Sequence, residues 1–264
     1  MFSARSLHNS ALFISVLFLA GTLSASAAEH FVSSTTATFD ASSLVPGDVI
    51  TLRAGPRGPL KITNIKGSTA SPIIVRNDPS GSGPVVIRRT SPASGGFVLH
   101  FGSCENFVLD GGQRPGTTYG IVVTSAADGD GPSSFIHLSG SSSDFTIRHV
   151  EVDGKWPSLT VDGVGIQLND HDYTAADHPG VWRENIVLES NYVHDVQGEG
   201  MYIGPNWRQG GLPLRNIEIR NNRFANTGWE GVQLKNAIQG RNSIHHNSCS
   251  RCGSNPDPDG DAGQ

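Results

Sequence analysis

Residues 185–198 read NIVLESNYVHDVQG, residues 216–228 read NIEIRNNRFANTG, and residues 242–253 read NSIHHNSCSRCG. When the three segments are stacked, they share four columns: Ile186, Ile217 and Ser243; Leu188, Ile219 and Ile244; Asn191, Asn222 and Asn247; Val193, Phe224 and Cys249. Residues 144–154 (DFTIRHVEVDG) fit the same pattern, with Val150 in the asparagine column. A repeat of about 20–30 residues built from short strands is typical of a solenoid whose coils stack in register.

A second short segment, of the form glycine-apolar-x-apolar-x, follows these units. It occurs at residues 120–124 (GIVVT), 165–169 (GIQLN), 200–204 (GMYIG) and 231–235 (GVQLK). Such alternation indicates a strand with one buried face. Because stacked strands lie about 4.8 Å apart, like side chains form ladders, and we expect the asparagine column to hydrogen-bond from coil to coil. The sequence therefore predicts an all-β parallel solenoid.

The composition agrees with an all-β chain and disfavours one class of partner. Charged residues make up 16% of the 264 residues, against roughly 25% in an average soluble domain, and glycine occurs 32 times. The formal net charge is −5, whereas a protein that binds nucleic acid through its phosphates carries a basic surface. We therefore expect no nucleic-acid partner.

Residues 1–28 have the pattern of a secretory signal peptide. The apolar run 11–23 (ALFISVLFLAGTL) follows Arg5, and residues 24–28 (SASAA) offer small residues for cleavage. The run is too short for the hydrocarbon core of a bilayer, which needs about 20 residues. We therefore predict a secreted or periplasmic protein with no membrane span and a solenoid domain over residues 29–253. The polar segment 254–264 is a tail or the start of a missing coil, and we expect the solenoid to be truncated at this end.

The three cysteines are Cys104, Cys249 and Cys252, and the last two form a C-x-x-C motif. A zinc site would need a second pair of ligands, and a redox function would need a thioredoxin-like context. The sequence offers neither. The repeat places Cys249 at an apolar core position. We therefore expect packed thiols.

Residues 46–52 (PGDVITL) and 71–75 (SPIIV) resemble the opening coils of a known group of proteins. Over residues 40–253 the chain resembles the right-handed parallel β-helix of the pectate-lyase-like superfamily, nearest to the alginate-lyase and chondroitinase-B-like polysaccharide lyases. The resemblance implies a right-handed parallel β-helix that cleaves an acidic polysaccharide by β-elimination. Many functions use this solenoid, so the residues of the site must carry the functional argument.

In the glycine-led strands, the residues between the apolar positions face outward, along a groove suited to a linear glycan. The outward residues are Gln167, Tyr202 and Gln233, and beside them Thr124, Asn169, Gly204 and Lys235. Aromatic rings stack on sugars, so we place Trp207, Trp229 and His171 in the same groove; aromatic residues that cap the core are the alternative. The run 170–172 (DHD) is either a calcium ligand or a solvated loop.

Glu199 and Glu230 precede the glycines of adjacent strands, which would bring two carboxylates about 5 Å apart. Buried unpaired carboxylates are costly, so we expect them to face outward or to bind a cation. The alginate-lyase-like family carries a Glu-x-Glu-x4-Lys element, of which Glu230 and Lys235 match the second half, while Gly228 replaces the first glutamate. The resemblance then implies Ca²⁺ bound by Glu199, Glu230 and an asparagine, either Asn169 or Asn206, with Lys235 as the base that removes the uronate proton.

Two hypotheses follow for the function. The first is a secreted lyase, or a related epimerase, that acts on an acidic polysaccharide. The second is a non-catalytic β-helix that binds carbohydrate or forms part of a cell-surface protein. Hydrolases of this fold need paired aspartates, and the sequence has no Asn-Thr-Asp, Asp-Asp or Gly-His-Gly element, which argues against that class.

Overall fold

The computed structural model describes residues 27–89, 96–112, 116–126, 132–157, 163–169, 173–205 and 210–254. Within these ranges, short strands form three parallel sheets, as an all-β parallel β-helix requires. The predicted signal peptide, apart from its last two residues, and the polar segment from residue 255 onward lie outside the described residues. In the part of the chain that is described, no helix is long and apolar enough to cross a membrane.

The strands are numbered in chain order and are grouped here by sheet. The first sheet contains β1 (Glu29–Val32), β3 (Val49–Leu52), β6 (Ile73–Asn77), β9 (Glu105–Asp110), β12 (Ser143–Arg148), β15 (Arg183–Glu189), β18 (Leu214–Arg220), β21 (Ala237–Gln239) and β22 (Ser243–His245). The second contains β4 (Gly55–Arg57), β7 (Val85–Arg89), β10 (Ile121–Ser125), β13 (Val150–Asp153), β16 (Tyr192–Val196), β19 (Arg223–Thr227) and β23 (Ser248–Cys252). The third contains β2 (Thr38–Asp40), β5 (Leu60–Thr63), β8 (Phe97–Gly102), β11 (Ser134–Ser139), β14 (Val164–Leu168), β17 (Met201–Ile203) and β20 (Val232–Leu234).

From β3 to β21, successive strands enter the first, second and third sheets in turn, so that each coil encloses a share of one continuous core. Alternate side chains of every strand point inward and stack on their register partners in the next coil. One such column in the first sheet is fully buried: Ile50, Val75, Leu109, Ile147, Leu188 and Ile219. This stacking confirms the solenoid that the repeat predicts.

The asparagine column forms the hydrogen-bonded ladder that the sequence predicts, at the corner between the first and second sheets. The Asn222 side-chain oxygen accepts from the Asn191 backbone N–H at 3.0 Å, and the Asn247 oxygen accepts from the Asn222 N–H at 2.9 Å. The Asn191 oxygen accepts from the Val150 N–H at 3.1 Å, which confirms the place of Val150 in the column. Asn191 and Asn222 are 0% and 1% exposed, so these amides satisfy backbone groups that water cannot reach.

Three second-sheet strands contain a left-handed residue at the same register position. Asp195, Asn226 and Arg251 have φ angles of 52°, 54° and 55°. A left-handed residue breaks simple alternation, so the residues on either side of it are displaced from the expected faces. Val193 and Val196 are consequently both fully buried, although they are three positions apart.

This geometry corrects the prediction of packed thiols at the C-x-x-C motif. Cys249 and Cys252 occupy the positions that Val193 and Val196 have two coils earlier, and the left-handed Arg251 between them turns both inward. Their Cα atoms lie 6.1 Å apart, within the usual disulfide range, and the two residues form a disulfide. Cys104 remains a buried thiol, and burial raises its pKa to about 12.

Two details of the predicted alignment are wrong. Residues 120–124 form the second-sheet strand β10, which pairs with β7 and β13, so Thr124 does not belong beside Asn169. The third-sheet strand of that coil is β11, which pairs with β14. In the last coil, Ser243 pairs with Glu218 instead of Ile217, whereas Ile244 keeps its predicted partner Ile219.

The glycines that begin the remaining segments are required by close packing at the corner between the second and third sheets. A Cβ atom on Gly200 would lie 2.6 Å from the Gly231 carbonyl oxygen and 2.6 Å from the Phe224 ring. Gly165 would meet the Gly200 carbonyl oxygen at 2.3 Å and Val193 at 2.4 Å. The corner has no space for a side chain, which explains why glycine recurs there.

Candidate functional site

The outward face of the third sheet presents a column of polar and aromatic side chains. Inward positions are apolar in every coil, so the residues between them point away from the core. The outward column consists of register partners from six successive coils: Lys61, His100, His137, Gln167, Tyr202 and Gln233. The structure thus brings together Gln167, Tyr202 and Gln233, as the sequence predicts, and extends the column by three residues on its N-terminal side.

The two histidines of this column were not predicted: His137 lies in β11, which has no directly preceding glycine, and the glycine before the strand of His100 was not recognised as part of the pattern. His100 Nε2 lies 2.8 Å from the Ser139 hydroxyl, and His137 Nε2 lies 2.8 Å from the Asn169 carbonyl oxygen. The Phe97 ring stacks on His137 with centroids 3.8 Å apart. These contacts orient both imidazole rings, so this end of the face is rigid.

Lys235 ends the second outward row, which also contains Asn169 and Gly204. These residues follow Leu168, Ile203 and Leu234, which are register partners in β14, β17 and β20. Gly204 has a φ of 119°, and a Cβ atom there would lie 2.2 Å from the Lys235 carbonyl oxygen, so the two coils pack closely at this point of the row. The Lys235 ammonium lies 4.8 Å from the centroid of the Tyr202 ring.

Lys235 also lines an open pocket of about 490 Å³. The other described residues of its wall are Pro205, Gly210, Gly211 and Asn236. Trp207 and His171, which we predicted to bind substrate, lie outside the described residues, as does Asn206, the alternative calcium ligand. The pocket therefore brings solvent to the Lys235 amine on the face where the sequence places the groove.

Several side-chain atoms on or beside this face have no hydrogen-bond partner among the described residues. They are Asn169 Oδ1, Gln233 Oε1 and Trp229 Nε1, and each is shielded from solvent. Asn169 is only 5% exposed, so its unpaired amide oxygen is an exception to the rule that buried polar groups are satisfied. The two amide oxygens can accept hydrogen bonds from ligand hydroxyl groups, and the indole N–H can donate to a hydroxyl or carboxylate oxygen.

Glu199 and Glu230 lie in adjacent coils at the opposite end of these strands. The Glu230 carbonyl accepts from Gly200 N–H, and the Glu199 carbonyl accepts from Gly165 N–H, each at 2.9 Å. Glu230 is half-buried, but Glu199 is only 3% exposed, so outward exposure, one of the two arrangements that we expected, does not hold for Glu199. The tight corner at the glycines places the Glu199 side chain beneath the surface.

The three described residues predicted as metal ligands are not brought to one point. Asn169 follows its strand, whereas Glu199 and Glu230 precede theirs, and the offset of five residues corresponds to about 16 Å along a strand. The same offset separates Glu230 from Lys235. A single calcium ion held by Asn169 together with both glutamates therefore does not fit this arrangement.

The outward face of the first sheet is an alternating ladder of paired charges. Arg148 donates to Asp110 at 2.8 and 3.0 Å and lies 3.7 Å from Glu189, and Arg220 donates to the same glutamate at 2.6 and 2.9 Å. Burial by itself raises the pKa of Asp110, but hydrogen bonds from Gly112, His149 and Arg148 hold it below the usual value. These cations are neutralised within the protein.

The third sheet differs in this respect. Among the described residues, neither Lys61 nor Lys235 forms an ion pair with a carboxylate. Asp40 is the single carboxylate within the described strands of that sheet. The face therefore offers cations and amides to a ligand, and has almost no negative charge to repel an anionic one.

The fold and this face define a parallel β-helix protein with a polar, lysine-bearing outer column on its third sheet. The sequence matches no protein-family model and no curated protein. Its structure is similar to that of an alginate lyase from Paenibacillus sp. str. FPU-7, with 16% sequence identity and a TM-score of 0.44. The similarity covers 84% of this chain and 78% of the alginate lyase.

Proposed function

We propose that this chain binds an acidic polysaccharide along the third sheet and cleaves it by β-elimination, with Lys235 as the base. The observation that carries the proposal is the combination, on one face, of lysines without carboxylate partners and amide oxygens without hydrogen-bond partners. Secretion or a periplasmic location belongs to the same proposal and is supported by the signal-peptide pattern of residues 1–28.

The reaction determines what the site must supply. A base removes the C5 proton of a uronate, the C4–C5 double bond forms, the bond from C4 to the leaving oxygen breaks, and that oxygen takes up a proton from solvent. In the proposal, the Lys235 Nζ accepts the C5 proton, and the Tyr202 ring beneath it holds the amine in place. Gln233 lies two residues before Lys235, and Asn169 lies two coils away in the same outward row; in the proposal, their carboxamides hydrogen-bond the uronate carboxylate and hydroxyls.

Calcium has no step in this mechanism. The proposed ligands Glu199 and Glu230 lie about 16 Å from Lys235 along the strands, which is too far for an ion bound there to contact the same sugar carboxylate. If the pair binds a cation, that ion would support the glycan at a neighbouring position in the groove. Addition of a calcium chelator is therefore expected to lower affinity for the polymer more than it lowers turnover.

The test is to incubate the full chain with alginate, pectate and glycosaminoglycans and to follow the absorbance of the unsaturated product. Lys235→Ala should abolish turnover while leaving folding and polymer binding nearly intact. Lys66→Ala is the matched control, because Lys66 is an exposed lysine that pairs with Glu105 away from this face, at 2.7 Å. Unchanged turnover in Lys235→Ala would remove this lysine from the mechanism.

The second candidate function is non-catalytic glycan binding. It is favoured by the incomplete lyase element, because only Glu230 and Lys235 are present and Gly228 replaces the first glutamate. Binding to a uronate polymer without any unsaturated product, with calcium present, would select this function. Absence of both binding and product with every polymer would contradict both candidates.

A further inference from the structure

A second cluster of reactive side chains lies on the outward face of the second sheet, away from the proposed groove. Asp153 of β13 and His194 of β16 are register partners in adjacent coils, and Asp195 follows directly. In regular alternation the last two would point to opposite faces, but the left-handed φ of Asp195 keeps its carboxylate beside the imidazole ring. One ligand atom from each of the three residues lies within 4.8 Å of the other two.

The two ring nitrogens of His194 contact different carboxylates. Nδ1 lies 2.8 Å from Asp195 Oδ2, and Nε2 lies 3.1 Å from Glu151 Oε1. In the tautomer that binds a metal, Nε2–H donates to Glu151 and Nδ1 is left to face Asp195. A carboxylate that fixes the tautomer of a histidine in this way is the usual second contact of a metal-binding imidazole.

A neighbouring coil orients Asp195 in the same manner. Asn226 Nδ2 donates to Asp195 Oδ1 at 2.7 Å, so the other oxygen, Oδ2, points to His194. The backbone is fixed as well, because the Asp195 carbonyl accepts from Trp156 N–H at 2.7 Å and the Asp153 carbonyl accepts from the Thr124 hydroxyl at 2.8 Å. The ligand atoms are thus held by contacts outside the cluster, as in a preformed site.

The charge of the cluster favours a cation. The cluster contains three carboxylates, those of Glu151, Asp153 and Asp195. In the described structure, the cations that form ion pairs with them are Lys155, which pairs with Asp153, and His194 itself. Arg223 lies over the Tyr192 ring, which stacks on His194, and makes no ion pair with the cluster. With His194 neutral, these four charged groups carry a net charge of −2, which a divalent ion balances.

We propose that Asp153, His194 and Asp195 bind one divalent ion of the zinc type through an imidazole nitrogen and two carboxylate oxygens, with water completing the coordination. Zinc-ligand distances are roughly 2.0–2.2 Å, so two ligands of one ion lie up to about 4.4 Å apart, and a small side-chain movement closes the cluster. The Asp195 side chain is 37% exposed and leaves an entry path from solvent. The imidazole ligand distinguishes this site from a calcium site, which uses oxygen ligands alone.

Binding at this site links the coil of β13 to the coil of β16. An ion that binds the folded chain and not the unfolded one raises stability by mass action. When the ion binds, the proton on Nδ1 of a protonated His194 is released to solvent, whereas the proton on Nε2 stays on the ring and is donated to Glu151 Oε1. The site therefore acts as a cross-link between coils and needs no role in glycan cleavage.

The experiment titrates the metal-free full chain with Co²⁺, which reports its ligands through visible absorption, and with Zn²⁺ by calorimetry. We expect one ion per chain, a higher melting temperature with Zn²⁺, and little effect of Ca²⁺. His194→Gln and Asp195→Asn should abolish the Co²⁺ spectrum, and Glu151→Gln should weaken binding about 10–100-fold. Circular dichroism of the metal-free variants shows whether each of them folds. If His194→Gln does not fold, Asp195→Asn still tests the site, because asparagine is nearly isosteric with aspartate.

Two control variants separate this site from other histidines. His149→Gln removes an imidazole whose Nδ1 faces one carboxylate only, Asp110 at 3.1 Å, and should leave the titration unchanged. The His245→Gln/His246→Gln double variant removes an exposed pair whose Nδ1 atoms lie 2.6 Å apart and should also leave it unchanged. Loss of the signal in the double variant, or retention in both His194→Gln and Asp195→Asn, would overturn the proposal, as would the absence of Co²⁺ and Zn²⁺ binding.

Discussion

Replacing Asn222 by alanine removes the middle amide of the buried asparagine ladder. The Asn222 side chain accepts from the Asn191 backbone N–H at 3.0 Å and donates to the Leu188 carbonyl at 2.8 Å. Alanine leaves both backbone groups without this partner in a place that is 0–1% exposed. A buried polar group without a partner costs about 1–3 kcal/mol, so the two groups together predict a loss of about 2–6 kcal/mol in the free energy of unfolding.

The assay is urea unfolding of the full chain, followed by circular dichroism. The matched control is Asn216→Gly, because Asn216 belongs to a second, exposed amide ladder in which its Nδ2 donates to Asn185 at 3.0 Å. Glycine is the suitable substitution there, since Asn216 has a φ of 56° that alanine does not readily adopt. Water can replace the exposed amide, so the control should lose no more than about 1 kcal/mol.

Comparing Asn222→Ala with Asn216→Gly tests whether burial determines how much these amides stabilise the fold. If Asn222→Ala unfolds at the wild-type urea concentration, or loses no more stability than Asn216→Gly, burial does not determine the contribution of these amides. A change in the slope of the transition, in place of its midpoint, would indicate that the coils unfold separately and that the ladder couples them.

Two further predictions concern packing and pH. Gly200→Ala should lose about 1–3 kcal/mol, because its Cβ would overlap the Gly231 carbonyl and the Phe224 ring, whereas Gly58→Ala, where a Cβ meets nothing within 4 Å, should stay within about 0.5 kcal/mol in the same urea assay. The depressed pKa of Asp110 stabilises the fold at pH values above the ordinary aspartate pKa, and this contribution is lost as the pH falls through the lower pKa of the folded state. Asp110→Asn should therefore lower stability at neutral pH and flatten its decline in acid, and an unchanged acid slope in the variant would contradict the ion-pair argument.

The solenoid could be predicted from the sequence because stacking forces like residues into columns. Asparagine recurs at Asn191, Asn222 and Asn247 because its amide hydrogen-bonds to the backbone of the neighbouring coil. Glycine recurs at Gly165 and Gly200 because the corner has no space for a Cβ atom. The assignment of strands to sheets was harder. Residues 120–124 show the same alternation as the third-sheet strands, because every sheet of the solenoid has one buried and one outward face.

The His194 cluster and the disulfide were not predicted, because both depend on residues that depart from regular strand alternation. His194 and Asp195 are adjacent in sequence, so a regular strand would separate them, and only the left-handed φ of Asp195 brings them together. Arg251 has the same conformation and turns Cys249 and Cys252 toward each other. The signal that could have found both sites is the column itself, because Asp195, Asn226 and Arg251 occupy one register position, and aspartate and asparagine tolerate left-handed backbone angles.

The three faces of the solenoid differ in how their charges are paired, and this difference determines which ligand each face accepts. On the first sheet, Arg148 and Arg220 are already held by Asp110 and Glu189, so a polyanion must break existing ion pairs before it meets a cation. On the second sheet, carboxylates outnumber cations around His194, which repels a polyanion and attracts a metal ion. Among the described lysines, only Lys61 and Lys235, both on the third sheet, offer an amine to an anionic chain without displacing a carboxylate. Because such contacts are exposed to screening, polyuronate binding should weaken as salt is added, while the buried asparagine ladder keeps its contribution.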